Sequence, residues 1–225
     1  MKVQSSHKNV TFDFTFRATA KPLINRCTGA LMLGASESKQ WALPASRIDG
    51  FLIVNGQHIT ADPARSLTWY DRQWGTGGFT NWTWFGLHIP QTGYIFRNTN
   101  GSQRVCNVIW TPDLSRTWYS SAANQTYPLA WTAQIPDYDA TFKIASVTKN
   151  QLNLGSSGTD TPAYNGFVTF SGQFEETKIE GFGIVEVWCT CKMPEGEEPQ
   201  TNNKTILEPQ LQVLCWIAII FSTAT

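Results

Sequence analysis

Apolar side chains recur at every second position over most of this chain, and that period restricts the fold more than any other feature. Val10, Phe12, Phe14 and Phe16 alternate with Thr11, Asp13, Thr15 and Arg17, the signature of a strand with one face toward a core and one toward water. Ala140, Phe142 and Ile144 alternate in the same way with Thr141, Lys143 and Ala145. Residues 94–97, 103–110, 128–135, 164–174 and 182–191 read as further strands. Asn55-Gly56, set between residues 51–54 and 57–60, marks a type I′ hairpin because both turn residues tolerate positive φ. No window of eleven residues carries a 3.6-residue apolar period, so the chain is predicted to be all-β with helix confined to short turns. Closely spaced antiparallel strands without crossover helices leave a sandwich or a barrel as the economical architectures. A length of 225 residues suffices for one large β domain or two small ones.

The candidate chemistry lies where aromatic residues are densest. Four of the ten tryptophans fall in Leu67–Gly75 and Asn81–Ile89. Alternation puts Leu67, Trp69, Asp71 and Gln73 on one face of the first strand and Thr68, Tyr70, Arg72 and Trp74 on the other. In the second, Trp82, Trp84, Gly86 and His88 oppose Thr83, Phe85, Leu87 and Ile89. The Gly-rich break at 75–78 is expected to let the two strands turn back on each other as one hairpin. Asp71 then sits beside indole and leucine, the surroundings in which a carboxylic acid holds a proton at neutral pH. Glu186 is the second candidate, sharing a strand face with Phe182, Ile184 and Trp188. Two such carboxylates can divide acid and base roles. The competing structural reading makes Asp71 a buried pairing partner, His88 a hydrogen-bonded core residue, and Tyr70, Trp82 and Trp84 ordinary core.

Composition excludes several function classes. Lys+Arg 17 balances Asp+Glu 17 with no basic run, which argues against a nucleic-acid partner. The five cysteines (27, 106, 189, 191 and 215) and the histidines at 7, 58 and 88 lack zinc-site spacing. No Gly-rich phosphate loop is present, so neither metal nor nucleotide cofactor is predicted. Sequons at Asn9, Asn81, Asn100, Asn124 and Asn203 suit a secreted glycoprotein, yet residues 1–7 carry no apolar leader; localisation and oligomeric state stay open. The apolar tail 211–221 is shorter than the roughly 20 residues of a membrane span and reads either as a final buried strand or as a spurious extension.

The pair Trp-x-Asp-Arg-Gln-Trp-Gly at 69–75 and Asn-Trp-Thr-Trp-Phe-Gly-Leu-His at 81–88 resembles the family that includes carotenoid 1,2-hydratase (hydroxyneurosporene synthase) and the secreted fungal kievitone hydratase. Lys21-Pro22-Leu23 and Gly181-Phe182-Gly183-Ile184-Val185-Glu186 extend the likeness, which covers roughly residues 12–188. The resemblance implies tandem lipocalin-like (calycin) antiparallel β-barrels. Residues 1–60 would be the terminal strands of an incomplete first barrel, 61–192 the second barrel, and 193–225 a loop and apolar tail. Residues 10–16 are then expected to present an unpaired aromatic edge, in a chain shorter than its relatives. Barrels of this type often close one end with a packed Trp and Arg, roles open to Trp74 and Arg72. The implied activity is acid-catalysed hydration of an alkene in a hydrophobic prenyl-bearing or polyene molecule of secondary metabolism. Asp71 would be proton donor, Glu186 or His88 base, and Trp69, Tyr70, Trp82, Trp84 and Trp188 substrate-binding. A Diels–Alderase on the same scaffold and a carbohydrate- or ligand-binding β module are the alternatives. An enclosed aromatic cavity favours the enzyme, and an open tryptophan face the module.

Overall fold

The computed structural model describes residues 1–7, 9–19, 21–24, 28–33, 36–75, 81–89, 107–154, 162–189 and 217–221. The chain divides into two compact units, residues 1–78 with 97–104 and residues 79–96 with 105–225. Helix among the described residues is limited to one 3-10 turn, Pro136–Tyr138, as the absence of helical periodicity requires. No helix there is long and apolar enough to cross a membrane.

The first unit is a seven-stranded antiparallel sheet of β1 (Lys2–His7), β2 (Val10–Ala18), β3 (Leu23–Ile24), β4 (Ala30–Leu33), β5 (Ser36–Val54), β6 (Gln57–Ala61) and β7 (Leu67–Gly75). The 19-residue β5 organises it, pairing with β2, β3, β4, β6 and β7 along successive stretches. Asn55 and Gly56 turn β5 into β6 with φ of 50° and 82°, the two left-handed residues that a type I′ turn demands. Phe12, Phe14 and Phe16 stack in a row at 5.3 and 6.4 Å. The unpaired edge expected at 10–16 is absent, because β1 hydrogen-bonds along one side of β2 and β5 along the other.

The second unit comprises β8 (Asn81–Ile89), β9 (Ile109–Pro112), β10 (Thr117–Ser120), β11 (Gln125–Pro128), β12 (Ala130–Ile135), β13 (Ala140–Ser146), β14 (Leu152–Asn153), β15 (Ala163–Phe174), β16 (Thr177–Cys189) and β17 (Ile217–Phe221). Its main sheet runs β17-β8-β16-β15-β13-β12-β9, with β14 beside β15 and the hairpin β10-β11 apart. All pairings are antiparallel except β17, which lies parallel to β8, so 217–221 of the apolar tail is a strand. The strand read at 94–97, and 103–106 of the next, lie outside the described residues.

The expected hairpin of β7 with β8 does not form. Strand β7 pairs with β5 from Ser38↔Gly75 to Arg47↔Leu67, whereas β8 pairs with β16 from Phe182↔His88 to Cys189↔Asn81. A Gly-rich break permits a reversal without dictating one, and partners are chosen by matching faces. Val185 and Val187 of β16 share the core-facing side with Phe85 and Leu87 of β8, Val185 lying directly opposite Phe85.

The inward faces of the second unit interdigitate into one core. Tyr127, Trp131, Phe142, Tyr164 and Phe174 are each 2% exposed or less, so large aromatic side chains make up much of that core.

Candidate active site

The register of β8 on β16 places Trp82 opposite Trp188, Trp84 opposite Glu186, Gly86 opposite Ile184 and His88 opposite Phe182. Directly paired residues share a face, so these eight lie together on the side away from Phe85, Leu87, Val185 and Val187. The Trp82 indole N–H donates to Glu186 Oε1 at 3.0 Å, and the Trp82 and Trp188 rings meet at 5.6 Å with a 57° tilt. His88 stacks on Phe182 at 5.6 Å, which stacks in turn on Phe167 of β15 at 6.0 Å. Trp84 lies flat over Gly86, where a Cβ would stand 2.6 Å from its Cη2. The tryptophans and Glu186 are half-buried, and Phe167 and Ile184 are 46% and 41% exposed. The result is a partly buried aromatic face, its tryptophans neither fully enclosed nor fully open, with one carboxylate set into it. Burial holds the His88 imidazole below its ordinary pKa, because desolvation penalises the cation.

In the first unit, the Trp69 indole N–H donates to Asp71 Oδ2 at 3.1 Å. Asp71 is exposed, so the burial on which its reading as a proton donor relied is not present. Tyr70 points to the opposite face and packs on Trp41 at 5.7 Å. Trp74 is 50% exposed and Arg72 is exposed, so neither is packed as a barrel plug. The predicted residues thus divide: Glu186, His88, Trp82, Trp84 and Trp188 come together on one face, while Asp71 and Trp69 form an indole–carboxylate pair in the first unit. The sequence reading missed Phe167 as part of the platform and Gly86 as the seat of an indole. The Trp-x-Gly spacing at 84–86 is the signal that could have revealed the second, since residues two apart share a strand face. No group of His, Cys, Asp and Glu suited to a metal occurs among the described residues.

No family model matches the chain. It is 58% identical over 210 residues to dehydratase asqC of Emericella nidulans, covering 83% of this chain and 60% of that protein. It is 38% identical over 208 residues to kievitone hydratase of Fusarium solani subsp. phaseoli, covering 83% and 59%. The chain belongs to the kievitone hydratase-like family. The crystal structure of kievitone hydratase from Nectria haematococca superposes with a TM-score of 0.74 at 36% identity, over 84% of this chain and 65% of that one. A putative AttH from Nitrosomonas europaea superposes with a TM-score of 0.63 at 18% identity, over 83% and 63%, a likeness of fold alone. These neighbours fit the lipocalin-like, all-β reading of the sequence. The chain spans about 60% of the curated relatives that it matches.

Proposed function

We propose that the chain serves a hydro-lyase of secondary metabolism, which adds water to or removes it from a hydrophobic substrate lying on the platform of β8 and β16. The observation that carries this reading is a half-buried carboxylate, Glu186, gripped by an indole N–H at 3.0 Å among aromatic rings, in a chain whose relatives are named a dehydratase and a hydratase. In the hydration direction the carboxylic acid gives its proton to an alkene carbon, and a carbocation forms at the neighbouring carbon. Water adds its oxygen there and returns a proton to the carboxylate, so hydrogen and hydroxyl are gained and the acid is regenerated. Dehydration is the reverse. Trp84 and Trp188 offer ring faces to the cation, each worth roughly 0.5 to 2 kcal/mol when desolvated. His88, kept neutral by burial, lies on the same face as a second acceptor for the proton of water. Asp71 is the other carboxylate to test in the acid role.

Kievitone, the compound in a relative's name, is the first substrate to assay, in ¹⁸O-labelled water with hydration and dehydration both followed. Glu186→Gln is expected to lower turnover by roughly 10² to 10⁴ while binding persists. Unchanged turnover in Glu186→Gln with a large loss in Asp71→Asn would move the acid role to Asp71. A product made without solvent oxygen or hydrogen exchange would identify a pericyclic reaction instead.

A further inference from the structure

The hairpin of β10 and β11 stands apart from the main sheet and has two unlike faces. Trp118 lies opposite Tyr127, and Ser120 opposite Gln125. This face is turned to the core: the Trp118 ring lies 6.2 Å from that of Tyr127 and 6.3 Å from that of Tyr164, and Ser120, Gln125 and Tyr127 are buried. Directly paired residues share a face and successive ones alternate, so the pair Tyr119↔Thr126 looks the other way. Tyr119 is 49% exposed, and its ring stacks on no other among the described residues. The turn at 121–124 ends on Asn124, exposed and at a left-handed φ of 49°, a conformation that Asn tolerates better than most residues. The Ala123 N–H donates to Ser120 Oγ at 3.3 Å and steadies that turn. The Asn124 side chain reaches back to the solvent face, where its Oδ1 accepts the Tyr119 hydroxyl at 2.6 Å. Its Nδ2 and the Thr126 hydroxyl have no partner among the described residues.

We infer that Asn124 carries an N-linked glycan whose first N-acetylglucosamine rests on the Tyr119 ring. Asn124-Gln125-Thr126 is an acceptor sequon, and folding gathers its amide, its hydroxyl residue and an exposed ring on one face. Transfer requires the chain to pass through the secretory pathway. There Asn124 Nδ2 attacks C1 of the first sugar of a lipid-pyrophosphate-linked oligosaccharide; the C1–O bond breaks, lipid pyrophosphate leaves, and the amide gives up one proton. Oδ1 forms no bond in this step, so the Tyr119 hydroxyl can still hold the glycosylated amide and keep the sugar at the ring. The C–H face of a pyranose packs on such a ring as an apolar surface. The other described sequons lack this arrangement. Asn9 is exposed, but its hydroxyl residue Thr11 lies opposite Ser6, 3.4 Å away. At Asn81 the hydroxyl residue Thr83 is buried opposite Val187. Asn100 and Asn203 lie outside the described residues. Because Trp118 and Tyr127 tie the hairpin's other face to the core, a sugar that joins Tyr119 to the turn stabilises the unit and not a free loop.

For the test, the full chain is secreted from yeast behind a cleavable leader, trimmed by an endoglycosidase to one N-acetylglucosamine per site, and mapped by peptide mass spectrometry. Asn124 is expected to carry the sugar in most molecules, and Thr126→Val to abolish it there. Melting of the chain, of Tyr119→Phe and of Tyr119→Val is then compared with that of the same three proteins made in bacteria without glycan. Tyr119 is half exposed, so its replacement leaves the core intact. The gain in melting temperature on glycosylation should be about 2 to 4 °C larger in the chain and in Tyr119→Phe than in Tyr119→Val. Sugars at other sites cancel in that difference. An Asn124 found bare, whether or not other sequons are occupied, overturns the inference. An equal gain in all three proteins also overturns it, as does a gain lost as fully in Tyr119→Phe as in Tyr119→Val, which would make the hydroxyl and not the ring the seat of the effect.

Discussion

Replacing Gly86 by alanine tests whether the platform is a shaped surface or merely an aromatic one. A Cβ at this position would stand 2.6 Å from Trp84 Cη2 and 3.2 Å from Cζ2 and Cζ3. Ordinary carbon contact lies near 3.5 to 4.0 Å, so the indole must lift by about 1 Å. Trp84 is half-buried and can move without dislodging the core on the other face of β8. Crowding costs on the order of 1 kcal/mol, and removing a glycine from the unfolded chain returns about 0.4 to 1 kcal/mol. Melting should therefore shift little. A displacement of about 1 Å in a substrate-positioning group can cost about 10² in turnover, so activity should fall tenfold to a hundredfold, together with a change in tryptophan emission. Unaltered emission and turnover would refute the idea that Gly86 seats Trp84. A large loss of stability would show that the strand, rather than the ring, had yielded.

Trp82→Phe keeps the ring and removes the donor to Glu186; turnover should fall about tenfold, equivalent to about 1.4 kcal/mol, with the melting profile preserved. Phe142→Ala deletes a fully buried ring in edge contact with Phe170 at 5.6 Å and should cost about 3 to 5 kcal/mol of stability by denaturant titration. His88 sets a pH dependence. Its folded pKa lies below the unfolded value because of burial, so the unfolded chain takes up the proton first as pH falls. Its contribution is complete above about pH 6.5 and is lost as pH drops from there toward the folded pKa. Melting curves from pH 8 to 5 should show this decline, and His88→Gln should flatten it.

Alternation alone was enough to make the chain all-β and to sort side chains by face. Trp82, Trp84 and His88 opposite Phe85 and Leu87, and Glu186 beside Trp188, were legible because a strand's geometry turns sequence parity into direction. The Asn55-Gly56 turn was equally local. What parity cannot supply is the partner of each strand. Leu67–Gly75 and Asn81–Ile89 are neighbours in sequence yet pair with β5 and with β16, a choice decided by face complementarity over long separations. Only that pairing joins the Trp82 indole to Glu186, 104 residues away, whereas the Trp69–Asp71 pair lies within a single strand. Packing also decided which large aromatics are withdrawn from water, Tyr127, Phe142 and Tyr164 among them, since burial depends on what every neighbouring strand brings to that face. The platform lies on the face of β8 and β16 away from that core, where sequence shows only alternating residues and the tertiary pairing arranges them into rows.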